Sequence, residues 1–273
     1  MRTGAAAWLV LFMLAGAARA AEDRPLPETT TSPATTSTAS APVEQPFLYM
    51  VDPHGPAARQ VLAGYALAFS STAGAIRPIP GNFDSEGVVH TLSLEVGVLD
   101  RLRVYAQTMI AESIGSTSDV NAVALQLGAR LLLTPPAWQR FRLMVSGAFL
   151  REFGAALGAF GELTASYDVG RVRLAASLHG ERVFAGKRDP IDLYAVAGVS
   201  VRVARILRLG VEYVAQDLEE LGDDEAEGGA RHYVGPDVAL SLHNNRFLLT
   251  AGAAVQAAQS PGLLARAAVT YVY

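Results

Sequence analysis

The sequence predicts an all-β protein, a closed antiparallel transmembrane β-barrel of about 12 strands that follows a disordered N-terminal tether. Three observations support this fold class. Apolar and polar residues alternate in twelve segments, the connections between them alternate between short and long, and the last residues are aromatic and lie in the apolar phase. Composition agrees with a folded chain, since 51% of the 273 residues are hydrophobic and 18% are charged.

Residues 1–20 are expected to be a secretory signal peptide. Arg2 precedes an uncharged stretch that contains Trp8–Leu14, and Ala18-Arg19-Ala20 is a small-x-small cleavage site. A retained membrane anchor is the alternative, but the apolar run is shorter than the ~18 residues that a spanning helix needs. Without these residues, which include two arginines and no acid, the formal net charge would change from −4 to −6. A basic surface for nucleic acid is therefore not expected.

Residues 21–58 are expected to form a disordered tether with a possible docking segment at its end. The stretch 28–40 reads ETTTSPATTSTAS and has prolines on both sides. Such a composition buries too little apolar surface to offset the entropy cost of ordering. We interpret 21–45 as a spacer, or as a binding segment for a periplasmic or cell-wall partner. Residues 46–58, with Phe47, Leu48, Tyr49 and Met50, are apolar enough to dock, for example inside the barrel.

From residue 59 to residue 273 the dominant pattern is strict alternation, which predicts β-strands with one apolar and one polar face. Each segment is about 10 residues long, the length that a tilted strand needs to cross a bilayer. The predicted strands lie at 61–69, 91–98, 102–110, 123–131, 141–149, 157–167, 172–181, 192–202, 207–216, 237–242, 247–256 and 263–273.

The positions of charged residues favour a barrel in a membrane. Nearly every charge within a strand falls on the phase opposite the apolar residues, and arginine facing the centre of a bilayer costs about 2–4 kcal/mol. A sheet in lipid must also close on itself, because lipid offers no partners to backbone groups. A secreted β-sandwich is the alternative, since it also alternates and follows a signal peptide.

The connections and the C-terminal strand resemble those of a known class of proteins. Tight connections at 99–101, 135–136, 168–170, 204–206 and 243–245 alternate with longer ones, apart from the short connection at 151–156. Val269, Tyr271 and Tyr273 place apolar and aromatic residues at alternate positions up to the last residue. In these features the chain resembles bacterial outer-membrane β-barrel proteins of about twelve strands, although no particular member is identified.

This resemblance implies a location and partners. It places the short turns in the periplasm and the longer loops outside the cell, and it implies contact with outer-membrane lipid and lipopolysaccharide. It also implies that the barrel-insertion machinery reads Val269, Tyr271 and Tyr273 as an insertion signal. The oligomeric state is left open.

The interior phase predicts a lumen that is basic near the short turns and acidic near the long loops. The function we predict from it is a passive channel for small solutes or ions with an anion-attracting constriction. The alternative is a plugged structural or surface-interaction barrel, in which arginines pair with acids and bulky residues such as Tyr105 and Tyr194 fill the lumen. The proposed basic ring consists of Arg103, Arg130, Arg142, Arg173, Arg202 and Arg208.

Other candidate sites are weaker. His179, Glu181 and Asp192 fall on the interior phase of two neighbouring strands and are expected to form a polar cluster, with a metal or acid–base site as the alternative. The acidic loop 217–227 lacks the bidentate glutamate of a calcium loop, and the chain has no cysteine. No nucleophile motif or phosphate loop is present, so neither a cofactor nor a metal is expected, and a lipid-active enzyme is the third hypothesis.

Overall fold

The computed structural model describes residues 45–71, 87–113, 121–138, 140–153, 156–184, 191–216, 218, 231–257 and 262–273. The expected signal peptide, nearly all of the expected tether and the acidic loop 217–227, apart from residue 218, lie outside these residues. No helix in the described part of the chain is long and apolar enough to cross a membrane.

The described residues form a closed antiparallel barrel of 12 strands, so the predicted fold class is confirmed. Each strand pairs with its neighbours in sequence, and β12 pairs with β1 to close the sheet. The strands are Val61–Ser70 (β1), Gly87–Gly97 (β2), Leu102–Ser113 (β3), Asn121–Leu132 (β4), Phe141–Glu152 (β5), Leu157–Val169 (β6), Val172–Val183 (β7), Asp192–Ala204 (β8), Leu207–Gln216 (β9), Arg231–Leu242 (β10), Phe247–Gln256 (β11) and Leu263–Val272 (β12).

Side chains alternate between the lumen and the outer surface, as the period of two predicts. In β4, for example, Gln126 is 1% exposed and the adjacent Leu127 is 51% exposed. The outer surface is therefore apolar, whereas the lumen holds both polar and apolar side chains. The two bulky residues expected inside, Tyr105 and Tyr194, are both buried. Met144, also on the interior phase, is buried, and Phe160 packs against the interior apolar cluster that contains Tyr194.

The two ends of the barrel differ in their connections. At one end, called here the short-turn end, the strands are joined through 98–101, 133–140, 170–171, 205–206 and 243–246. The tightest of these turns use left-handed backbone at Gly170 and at His243, Asn244 and Asn245, a conformation that glycine and asparagine adopt at low cost. The opposite end, called the long-loop end, carries the connections that begin after β1, β3, β5, β7, β9 and β11.

Candidate functional site in the barrel lumen

Residues 45–58, called here the plug segment, lie inside the barrel. Phe47 is fully buried, Leu48 and Met50 are 4% and 2% exposed, and all three precede the first strand. Phe47 and Met50 belong to one apolar cluster with interior residues of the strands, such as Val196 and Val214. The segment thus fills part of the lumen rather than lying on the outer surface.

A carboxylate of the barrel wall binds the deepest part of the plug segment. The backbone N–H groups of Leu48 and Tyr49 donate hydrogen bonds to the two oxygens of Glu212, at 2.8 and 3.1 Å. Glu212 lies on the interior phase of β9 and is 1% exposed. The Tyr49 hydroxyl also donates to the carbonyl oxygen of Leu264, at 3.4 Å. These bonds satisfy backbone donors that would otherwise be buried without a partner.

Two glycines of the strands leave room for the plug segment. A Cβ on Gly198 would lie 2.7 Å from Cε1 of Phe47, so any larger residue there would collide with the ring. A Cβ on Gly97 would collide with the backbone carbonyl of Ala57. The absence of side chains at these two interior positions therefore allows the segment to approach the wall closely.

Charged side chains hold the plug segment near the short-turn end. Asp52 forms an ion pair with Arg173 at 2.6 Å, and Arg173 also contacts Asp168 at 2.7 Å. The imidazole of His54 lies between the two carboxylates, 2.7 Å from Asp52 and 3.4 Å from Asp168. Together the four groups form a network that joins the segment to β6 and β7.

The electrostatics of this network favour ionised Asp52 and protonated His54. Burial alone would raise the pKa of Asp52, but the charge of Arg173 and the bonds to His54 outweigh it and hold that pKa well below its usual range. Burial alone would lower the pKa of His54, but the Asp52 charge and the bonds to Asp168 and Asp52 raise it overall.

The plug segment enters and leaves the lumen at the same end. Gln45 and Pro46 share a pocket of about 30 Å³ with Arg205, in the turn between β8 and β9. At the other end of the segment, the N–H of the adjacent Arg59 donates a hydrogen bond to the carbonyl of Gly97, the last residue of β2. Both points lie at the short-turn end, so the segment is a loop inserted from one side rather than a strand threaded through the barrel.

Space beside the plug segment is lined by both polar and apolar side chains. Two cavities of about 110 and 120 Å³ lie beside it, and Thr91, Tyr105, Gln107 and Arg130 line both. Each has room for only a few water molecules.

The structure places the six arginines of the predicted ring in three different settings. Arg103, Arg130 and Arg173 are buried and paired with carboxylates, Arg103 and Arg130 with Glu95. Arg103 also donates to the carbonyl of Pro53 at 2.6 Å, and Arg130 lies over the Tyr105 ring. Arg142 is half-buried and Arg208 is buried, both on the interior phase.

Arg202 differs from the other five. It lies at the end of β8, where the register with β9 shifts, and it is exposed. It therefore borders the mouth of the barrel, together with Arg205 and Arg208 around the pocket near Gln45, instead of lining the lumen at depth.

The predicted polar cluster is divided. Glu181 and Asp192 face each other across β7 and β8, as expected, and Glu181 is 2% exposed. His179 instead lies 2.6 Å from the Ser177 hydroxyl and 3.8 Å from Glu162. Its ring stacks on Tyr194, with centroids 4.1 Å apart. His179 therefore belongs to a different buried group from the other two residues, because its register partner across β6 is Glu162.

Within the described ranges, no group of three or more acidic or histidine side chains is placed to hold a metal ion. The residues of the predicted insertion signal lie on the outer surface of β12 and just beyond its end. Val269 is 36% and Tyr273 83% exposed, and the Tyr271 ring lies 4.9 Å from that of Phe247.

Several residues of the lumen were not identified from the sequence. Asp52 and His54 carried no recognisable motif, and Glu95 was read only as a member of an alternating strand. Alternation places Glu212 on the interior phase, but nothing in the sequence links it to Leu48 or Tyr49. The available signal was the presence of two ionisable residues inside an otherwise apolar docking segment, which predicts charged partners on the wall.

Comparison with known proteins identifies the fold and no family. No protein-family model matches the sequence, and no curated protein matches it. Among solved structures, the KdgM porin is similar with a TM-score of 0.54 and 6% identity, over 77% of this chain and 98% of the porin. An outer membrane channel from Pseudomonas putida F1 gives a TM-score of 0.55 and 12% identity, over 80% and 96% of the two chains. At these identities the likeness establishes the fold alone, so the chain is a 12-stranded barrel of the kind found in these outer-membrane proteins.

Proposed function

We propose that this protein is a passive channel of the bacterial outer membrane for small solutes or ions, and that the plug segment closes it. The observation that carries the proposal is the way the segment occupies the lumen. It is a loop inserted from the short-turn end and held by a small number of polar contacts with Glu212, Arg103 and Arg173. Such a loop can withdraw without unthreading any strand.

The chemistry of the wall supports reversible insertion. The groups that bind the plug segment are ionisable, and they would be hydrated by water if the segment left. Loss of the segment would thus open a passage lined by these polar groups and by the interior apolar residues that Phe47 and Met50 cover, such as Val196 and Val214. The similar solved structures are a porin and an outer membrane channel, which supports the same proposal.

The second candidate is a permanently plugged structural barrel. It is favoured by the burial of Phe47 and Met50 and by the small size of the two remaining cavities. The experiment below separates the two candidates.

An anion preference is part of the proposal. When the plug segment leaves, Arg173 keeps Asp168 but loses its second carboxylate partner Asp52, and Arg103 keeps Glu95 but loses the Pro53 carbonyl. Positive charge at the entrance would then be unmasked, and fixed charge selects ions by sign. Each of the five connections at the short-turn end also carries an exposed arginine, namely Arg101, Arg140, Arg171, Arg205 and Arg246.

A reversible cross-link tests whether the plug segment closes the channel. We would introduce Phe47→Cys and Gly198→Cys together and link the two thiols through disulfides with a short bis-methanethiosulfonate, because the edge of the Phe47 ring reaches Gly198 and the chain has no cysteine of its own. In planar bilayers the cross-linked double variant should be closed. Reduction should give discrete conductance steps with an anion-selective reversal potential, since the cross-link and the Phe47 ring are then both absent.

The matched controls are the single variants, which cannot form an intramolecular cross-link and whose conductance should not respond to reductant. Equal conductance of the cross-linked and reduced double variant would contradict closure by the segment. If neither the cross-linked nor the reduced double variant conducts, although the gel shift on heating shows a folded barrel, the channel is contradicted and the structural barrel is favoured. Discrete steps with a cation-selective potential would contradict the anion preference alone.

A further inference from the structure

Outward-facing arginine is rare in this barrel. In the described strands, the arginines lie on the interior phase except for Arg151 in β5 and Arg182 in β7. Both are exposed, and their sequence neighbours on either side, including Leu150, Glu152 and Glu181, are buried in the lumen. Alternation therefore directs these two side chains toward the membrane.

Both arginines lie at the same level of the barrel. Arg151 is the second-last residue of β5, and Arg182 is the second-last residue of β7. They sit on either side of β6, where Arg151 faces Leu157 and Arg182 faces Ala159. The pair thus marks the rim of the apolar surface at the long-loop end, where a charged side chain avoids the cost of the bilayer centre.

Exposed aromatic residues surround the two arginines. Phe149, Phe153 and Phe184 are 79%, 59% and 61% exposed, and the Arg182 guanidinium lies 5.7 Å from the Phe184 ring centroid. Neither arginine has a carboxylate partner among the described residues. The patch therefore combines positive charge with apolar surface at a single level of the membrane.

We propose that Arg151 and Arg182, with these phenylalanines, bind the phosphate groups of a phosphorylated glycolipid of the lipid A type. Arginine suits this ligand because its planar guanidinium can donate two parallel hydrogen bonds to two oxygens of one phosphate. The phenylalanines would contact the acyl chains of the same lipid. The proposal rests on the outer-membrane location proposed above, since that location places the long-loop end in the outer leaflet, where such glycolipids lie.

Lipid binding to refolded protein in neutral detergent tests this site. Native mass spectrometry would measure the affinity for purified lipid A of the wild-type chain and of Arg151→Gln/Arg182→Gln. The expected loss is about tenfold or more, because each arginine near anionic lipid contributes measurably to binding. Arg151→Lys/Arg182→Lys keeps the charge without the two parallel donors of the guanidinium and should give an intermediate affinity.

The matched control is Arg140→Gln/Arg171→Gln. These two arginines are also exposed and flank the same three strands, but they lie in turns at the short-turn end. The control should bind lipid A like the wild type. Each variant's fold is checked by its shift in gel mobility on heating, so a loss of binding is read only from folded barrels.

Three results would overturn the proposal. The first is equal lipid A affinity of the wild type and the glutamine pair. The second is equally tight binding of dephosphorylated lipid A. The third is equally tight binding of phosphatidylglycerol, which would show a site for any anionic lipid. This assay does not measure channel activity. An absence of conductance in planar bilayers would therefore contradict the proposed channel but not the proposed lipid site.

Discussion

Asp52 and His54 are the residues by which we expect docking of the plug segment to depend on pH. His54 contacts two carboxylates, Asp52 and Asp168, and the nearby Arg173 opposes its protonation. Because the pKa of His54 in the docked segment is above its ordinary value of 6.5, its contribution to docking is complete below that pH. The contribution is lost as the pH rises through the raised pKa. Asp52 has a lowered pKa, so its contribution is present above 3.8 and is lost only as the pH falls through the lowered pKa.

Docking should therefore be strongest between about pH 4 and 6.5. We expect the open probability of the wild-type channel to rise when the pH is increased from 6 toward 8. His54→Gln should remove this dependence and leave the channel open more often at pH 6. Single-channel recording at several pH values measures both effects. An open probability that instead falls with rising pH would show that His54 does not stabilise the docked segment by its charge.

At the scale of elements, β12 has a special position because it closes the barrel. It pairs with β11 on one side and with β1 on the other, and its outward aromatic residues extend to the end of the strand. Tyr271 stands opposite Phe247 and lies close to Tyr273, with ring centroids 6.2 Å apart. These rings occupy the level at which aromatic residues border a membrane.

The effect of the predicted insertion signal can be measured separately from its effect on the stability of the barrel. We expect Tyr271→Ala/Tyr273→Ala to reduce the amount of heat-modifiable barrel in the outer-membrane fraction of cells by severalfold, while refolding in detergent still succeeds. Phe141→Ala/Tyr167→Ala is the matched control, because these two residues form an outward cross-strand pair at the same end of the barrel. Equal cellular amounts of the two double variants would show that the C-terminal residues carry no special signal.

At the scale of the whole molecule, the outer surface forms an apolar band. The cost of placing a charge on this band depends on the depth of the charge in the bilayer. Leu127 and Leu131 are both outward in β4 and are 51% and 43% exposed, but Leu127 lies mid-strand and Leu131 lies near the short-turn end. A charge at the first position would face the centre of the bilayer. A charge at the second would reach the headgroups.

Leu127→Arg should lower the free energy of unfolding by about 2–4 kcal/mol, and Leu131→Arg by about 0–1 kcal/mol. Denaturant unfolding of barrels inserted in bilayers measures the two values. Leu127→Ala, which shortens the outward side chain without adding a charge, provides a control for the loss of the leucine. If the two leucine variants lost the same stability, the outer surface would not be buried in lipid as a band.

The sequence by itself determined the architecture. A period of two fixes which side chains share a face, so the strands, the outward apolar residues and interior positions such as Arg103 and Tyr105 followed from local pattern. The lengths of the connections identified the two ends for the same reason. These properties depend on residues that are neighbours in the chain.

Only the tertiary structure decided what the lumen contains. Closure of the sheet brings Leu48 to Glu212 and Asp52 to Arg173, pairs separated by more than a hundred residues, and no local pattern encodes such contacts. It also decided that His179 joins Glu162 rather than Glu181, because register across β6 sets its partner. Pairing across a closed barrel depends on strand register and on the path of the plug segment, which arise only when the whole chain folds.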